Sequence, residues 1–230
     1  MPLFRLNSDN KSELNILFLH IPKCGGSTIE GYFNQLNCQT FFKGEYKPLK
    51  GLIKAESQHF TYKVLEEILN IDDVDFIFSI VRNPFARLAS EFRYRNGQIA
   101  LVSEAKKMGF KNIIYKDPAE WVVNVLLSQM RYPHVLGNHL VPMHEYIGPE
   151  VKNIYYIEHG MNSIITDIEI QAGVSFSDQD CMRLNSTAID PGQVTDEERI
   201  IRENFLSCNL VAKFYEKDFQ LFYPNDKSLY

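Results

Sequence analysis

The stretch LNILFLHIPKCGGSTIEGYFNQL, residues 14–36, constrains the chain more than any other. A short apolar run (14–20) ends in a turn holding the adjacent glycines Gly25 and Gly26. A helical pattern begins at once, with Ile29, Phe33 and Leu36 spaced along one face. Ser27 and Glu30 have the spacing of a capping box, which predicts a helix over 27–36 starting at the end of the glycine loop. The order is strand, loop, helix.

The same order recurs. DFIFSIV (75–81) is a second apolar run, followed by RNPFARLASEF with Asn83 as N-cap and Pro84 at the first helical position. Phe85, Leu88, Ala89 and Phe92 then share a helix face. NIYYIE (153–158) reads as a third strand and NSIITDIEIQAG (162–173) as its helix. Between the first two units, ESQHFTYKVLEEIL reads as an exposed turn into a short helix. DPAEWVVNVLL (117–127) starts a helix capped by Asp117. TDEERIIRENFLSCNLVAKFYEKDFQLF (195–222) is helical, with a Thr195/Glu198 capping box and a break expected near Ser207–Asn209. Strands alternating with helices predict an α/β fold with a mainly parallel central sheet flanked by helices on both faces. Ligands of such sheets sit beyond the carboxyl ends of the strands, where both loop motifs fall.

The 230 residues, 45% hydrophobic and 23% charged, suit one domain over 1–230. The polar start, 1–13, is expected to be a flexible segment, and 97–150 an insertion that shapes an acceptor site. Cys24, Cys38, Cys181 and Cys208 are widely spaced, so neither a zinc site nor a disulfide framework is expected. The net charge of −5, without a dense Lys/Arg cluster, argues against a nucleic-acid partner. No signal peptide and no apolar run of membrane-spanning length is present in the chain, so a cytoplasmic location is expected. Neither a metal site nor any particular oligomeric state is indicated: His144 and Glu145 are adjacent and lack His-Glu-x-x-His spacing.

The loop 23–28 has the chemistry of an oxyanion cradle. Gly25 and Gly26 let the backbone come close to a ligand. A helix start leaves unpaired N–H groups and a positive dipole end facing the loop. Lys23 adds a charge, and Ser27 and Thr28 add hydroxyl donors. It is not a Walker A loop, whose lysine follows the glycines. The plainer and less favoured alternative is a glycine-rich turn beside a surface lysine. Arg82 at the next strand end, with Ser90 in the helix beyond, offers a second anion site, because arginine grips phosphate through paired hydrogen bonds. Alternatively, Arg82 pairs with a helix carboxylate and Ser90 is simply exposed. Two such strand ends suggest one ligand with two separated anionic groups.

FLHIPKCGGST followed by VRNPFARLASEF resembles the sulfotransferases that use 3′-phosphoadenosine 5′-phosphosulfate, most closely the carbohydrate branch with its His-x-Pro-Lys-x-Gly-Gly-Thr/Ser loop. The resemblance implies a P-loop-NTPase-like three-layer fold. It also implies that Lys23, Cys24, Gly25, Gly26, Ser27 and Thr28 bind the phosphosulfate and that Arg82 and Ser90 bind the 3′-phosphate. SQHFTY is similar to the segment carrying the family's catalytic histidine, here His59. NHLVPMHEYI is similar to the segment near the acceptor, and FYEKDFQLF to the C-terminal helix. Cys24 departs from the family's usual threonine and removes a hydroxyl beside the sulfate.

The implied reaction is in-line transfer of the sulfuryl group to an acceptor hydroxyl, most naturally on a glycan, leaving adenosine 3′,5′-bisphosphate. Lys23 would neutralise the leaving oxygen, and a histidine has the right basicity to take the hydroxyl proton. His59 is the candidate base, with Glu56 as its orienter or substitute. His139 and His144, flanking Pro142, are candidates for the acceptor site or ordinary loop residues. His20, at a strand end, is expected to orient the loop. Cys24 lacks the Cys-x₅-Arg setting of a cysteine phosphatase. The competing classes are a nucleotide kinase or NTPase, which needs an acidic metal-holding residue that FIFSIV does not supply, and a non-catalytic nucleotide-binding relative.

Overall fold

The structure is a computed structural model, and it describes residues 1–8, 11–36, 38–43, 56–101, 115–133, 135–176 and 193–226. In chain order the regular elements are β1 (Leu3–Ser8), β2 (Lys11–Leu19), α1 (Gly26–Phe33), β3 (Cys38–Phe41), α2 (Tyr62–Ile68), β4 (Phe76–Val81), α3 (Pro84–Leu101), α4 (Pro118–Arg131), β5 (Asn153–Tyr156), α5 (Met161–Ala172), α6 (Asp196–Glu203), α7 (Phe205–Phe214) and α8 (Glu216–Phe222). They gather into two compact units. The first takes Met1–Arg82 and Leu136–Gln193, the second Asn83–Val135 and Val194–Tyr230. Each is assembled from two stretches of chain, so the single span 1–230 does not divide at any one point in sequence.

The first unit holds a five-stranded sheet of order β3-β1-β2-β4-β5. β2, β4 and β5 run parallel, as the repeated strand–loop–helix pattern predicts. β1 pairs antiparallel with both β2 and β3, so the sheet is mixed and its parallel part is the β2-β4-β5 half. The parallel pairing expected of the sheet is thus found among β2, β4 and β5, and the antiparallel β1 and β3 are added to it. The strand β1 corrects the reading of 1–13 as a flexible segment. Leu3 and Phe4 are buried there, and Phe4 stacks on Phe33 of α1 at 4.1 Å between ring centroids. That burial, together with the backbone pairing to β2, holds a segment whose polar composition alone reads as loose.

Ile16, Leu17, Phe18 and Leu19 are buried without alternation, as are Phe78, Ser79, Ile80 and Val81. Such continuous burial is the mark of strands covered on both faces. Phe18 and Phe78 stack at 4.9 Å, and Phe33 packs beside Phe78 at 6.4 Å. The one polar side chain at this point of β4, Ser79, donates its hydroxyl to the Leu19 carbonyl at 2.9 Å and so causes no desolvation loss. At the other end of the strand pair, Asn15 ties β2 to the approach of β4. Its N–H donates to Asp75 Oδ2 at 2.7 Å, and its carbonyl accepts from the Asp75 N–H at 2.9 Å.

The second unit is helical. Asn83 caps α3 by accepting from the Phe85 N–H at 3.0 Å, with Pro84 first in the helix, as the sequence predicts. Asp117 likewise caps α4 through the Ala119 and Glu120 N–H groups. Thr195 accepts from the Glu198 N–H, as the capping-box spacing predicts. The expected single break near Ser207–Asn209 is instead two breaks. Asn204 ends α6 and caps α7 by accepting from the Ser207 N–H at 3.0 Å, and Tyr215 separates α7 from α8. Arg202 lies over the Phe85 ring at 4.2 Å and donates to Asn83 Oδ1 at 3.0 Å. Of the stretch 97–150, residues 102–114 and 134 lie outside the described residues; the remainder is divided between the two units.

Candidate functional site

The glycine loop, 23–28, sits at the carboxyl end of β2 in the first unit. Ile21-Pro22-Lys23-Cys24 is a tight turn closed by the Cys24 N–H on the Ile21 carbonyl at 3.3 Å. Lys23 has φ 68 there. A proline followed by a residue of positive φ is the type II turn pattern, whose third position normally belongs to glycine. A lysine held in it carries a backbone cost of about 1 kcal/mol or more. Gly25 follows with φ 89 and is the N-cap of α1. Its carbonyl accepts from the Thr28 and Ile29 N–H groups at 3.1 and 3.3 Å. The N–H groups of Gly25, Gly26 and Ser27 have no backbone acceptor among the described residues.

The cap differs from the capping box expected at Ser27 and Glu30. Ser27 is exposed and inside the helix, and Glu30 turns away to His20. Glu30 Oε1 lies 3.1 Å from His20 Nδ1, and neither atom has a well-aligned hydrogen bond. The His20 imidazole presses against Gly26: a Cβ added to Gly26 would stand 1.9 Å from His20 Nε2. A Cβ on Gly25 would meet Met161 Cε at 2.5 Å. The two glycines are therefore required for different reasons, Gly25 by its φ and its neighbour and Gly26 by the imidazole alone. The His20 ring thus packs on the loop at Gly26, while its Nδ1 faces Glu30 of α1.

Cys24 is fully buried, with Sγ 3.7 Å from the Pro22 carbonyl. The Cys24 thiol is thus turned into the protein rather than toward solvent.

Arg82 follows β4, the parallel neighbour of β2. Its Nη1 donates to the Lys23 carbonyl at 3.3 Å. The two strand-end motifs thus meet at one sheet edge. The pairing of Leu19 with Ser79 puts them there. Ser90 lies in the second turn of α3, in the second unit.

His59 sits in a single 3-10 turn, Ser57–His59, that precedes α2. The expected turn forms, but it is not exposed at its histidine: His59 is 4% accessible. Its carbonyl accepts from Asn138 Nδ2 at 3.0 Å, and its N–H donates to the Glu56 carbonyl at 2.8 Å. Its ring meets the His20 ring edge-on at 4.9 Å and the His139 ring edge-on at 4.8 Å. Nδ1 of His59 is buried without a hydrogen-bond partner among the described residues. Burial, with His20 and His139 adding to it, holds the His59 pKa well below the usual imidazole range. Burial also lowers that of His20, against the pull of Glu30. Both rings are neutral near pH 7, and a neutral imidazole with a free lone pair can accept a proton.

His139 joins this cluster. His144 lies in the following turn, Met143–Tyr146, with Nε2 3.6 Å from Glu145 Oε1. The Glu56 carboxylate accepts from Gln58 Nε2 at 2.5 Å and is exposed. The meeting of His20, His59 and His139 with Glu30 follows from no sequence pattern: its members are scattered through the chain, each in a different motif, and the spacing of Glu30 pointed to a cap.

Among the described residues no group of three or more His, Cys, Asp or Glu side chains could hold a metal ion. No helix among them is long and apolar enough to cross a membrane. The chain matches the family described as the sulfotransferase family over residues 8–224. No curated protein and no solved structure matches it.

Proposed function

Because the chain belongs to the sulfotransferase family, we propose that it moves the sulfuryl group of 3′-phosphoadenosine 5′-phosphosulfate to an acceptor hydroxyl, on a carbohydrate. The observation that carries this reading is the 3.3 Å contact of Arg82 Nη1 with the Lys23 carbonyl. It supports the reading because the Lys23 turn and Arg82, at the ends of two neighbouring strands, touch each other. A P-loop-like three-layer fold belongs to the same reading.

The Gly25, Gly26 and Ser27 amides, the Lys23 ammonium and the Ser27 and Thr28 hydroxyls bind the phosphosulfate. The backbone of Cys24 completes that turn. Arg82 and Ser90 take the 3′-phosphate, arginine by paired hydrogen bonds. The acceptor oxygen attacks sulfur in line, and the sulfur–oxygen bond to the 5′-phosphate breaks. The electron pair stays on the phosphate oxygen, where Lys23 neutralises it and gains most in the transition state. The hydroxyl proton goes to His59 Nδ1. His139 and His144 line the acceptor side, with 97–150 supplying its shape. No metal takes part; positioning and charge supply the catalysis, as in phosphoryl transfer.

The test is transfer of radiolabelled sulfate from the donor to a glycan panel, with calorimetry of adenosine 3′,5′-bisphosphate alongside. His59→Ala should lower turnover by about 100-fold or more while bisphosphate affinity stays within about twofold. Unchanged turnover would remove His59 from the base role. Magnesium-dependent ATP binding without bisphosphate binding would overturn the whole reading in favour of a kinase.

A further inference from the structure

The end of β5, the turn after it and the outer side of α5 enclose a cleft of about 430 Å³ in the first unit. Tyr155 and Tyr156 come from the strand, His159 from the turn, and Ser163, Thr166 and Asp167 from the helix. No residue of the anion loop lines it. Its volume is that of a small-molecule site, since such clefts run from about 300 to 1,000 Å³.

The wall chemistry selects among ligands. Neither lysine nor arginine lines the cleft, and a carboxylate does, which is wrong for phosphate or sulfate. The Tyr156 and His159 rings stand 5.3 Å apart and tilted by 37°, and they give the cleft an aromatic wall. Opposite chemistry comes from the Ser163 and Thr166 hydroxyls and the Asp167 carboxylate. The Tyr155 hydroxyl lies against the Asp167 carboxylate, and burial together with that carboxylate pushes its pKa up, so it stays protonated. A molecule with an apolar ring face and a rim of hydroxyls meets all of these walls at once.

We propose that this cleft is a subsite for a neutral sugar residue, its ring face on Tyr156 and its hydroxyls on Asp167, Thr166 and Ser163. Gly25 connects the cleft to the anion loop, because it packs against Ile157 and Met161 of the same β5–α5 turn. A glycan acceptor could therefore be gripped here at a residue other than the one modified. The sugar site itself does not require sulfuryl transfer to be the reaction.

Saturation-transfer NMR on the full chain tests it, with methyl β-glycosides of galactose, glucose, mannose and N-acetylglucosamine as probes. The spectra are taken with and without saturating adenosine 3′,5′-bisphosphate. At least one glycoside should receive saturation in both conditions. Asp167→Ala should weaken it by about tenfold or more. Ile170, which lines the cleft and is 71% exposed, allows a second variant that leaves the core untouched, and Ile170→Arg should block the same signal. No saturation of any glycoside in the wild type, or equal signals in both variants, would overturn the site. Displacement by the bisphosphate would overturn it too, by giving the cleft to the nucleotide. A chain that binds the glycoside but never the bisphosphate would refute the transfer reaction and leave this site standing.

Discussion

Nη1 of Arg82 donates to the backbone carbonyl of Lys23 at 3.3 Å, joining the loops that follow two neighbouring parallel strands. The arginine thus braces the lysine's turn, and in the proposed function it also binds the donor's 3′-phosphate. Arg82→Ala removes both roles. Adenosine 3′,5′-bisphosphate binding, followed by calorimetry, should weaken by about tenfold or more. Arg82→Lys should recover little of that loss, because an ammonium cannot make the planar paired contact.

Lys23 pays a conformational cost at φ 68 that glycine would not. Lys23→Gly relieves about 1 kcal/mol of backbone strain, offset in part by the greater freedom of glycine in the unfolded chain. The variant should be no less stable than wild type in urea unfolding, yet lose donor binding and transfer. A clear loss of stability would mean that the lysine side chain supports the fold rather than a ligand.

Gly26 has no room for a methyl group, because His20 Nε2 occupies the place where Cβ would go. Gly26→Ala should cost about 1–3 kcal/mol of stability, the usual range for overpacking a close contact. In a His20→Ala background the same substitution should cost much less. Coupling between the two, read from a double-mutant cycle of urea midpoints, checks the contact directly.

His20 and His59 are neutral in the fold because burial disfavours their charged forms. Unfolding exposes them, and each then takes up a proton below its ordinary value of 6.5. The unfolded state binds more protons below that point, so stability is complete above it and falls as the pH drops further. The slope approaches about 1.4 kcal/mol per pH unit for each imidazole held neutral. Urea midpoints measured from pH 7.5 to 5.0 should fall steeply for wild type and less steeply for His59→Gln. Glu30, 3.1 Å from His20 Nδ1, moderates the His20 contribution but not its sign.

The parallel half of the sheet was legible because its strands are local signals: runs at 14–20, 75–81 and 153–158, each followed by a helical period. The caps at Asn83, Asp117 and Thr195 were legible for the same reason. β1 and β3 were not, since they pair antiparallel at one side of the sheet and the burial of β1 comes from Phe4 stacking on Phe33 of helix α1, a contact distant in sequence. At the site, the glycines and the two motifs stood out as motifs. The helix cap moved to Gly25 because Glu30 is engaged with His20, a contact that no spacing rule exposes. The meeting of His20, His59 and His139 depends on three separate segments folding onto one another, so only coordinates bring it to light.

The pairing of Leu19 with Ser79 has a consequence for how such a chain can change. The connection from β3 to β4 can grow or shrink with little penalty, since closing a longer loop costs slowly more. The strands cannot. One residue inserted into β2 between Asn15 and Leu19 would turn every later side chain to the opposite side of the sheet and carry Lys23 out of reach of Arg82. Length variation among sequences sharing this architecture should therefore collect between the two motifs and be absent from the strands that deliver them.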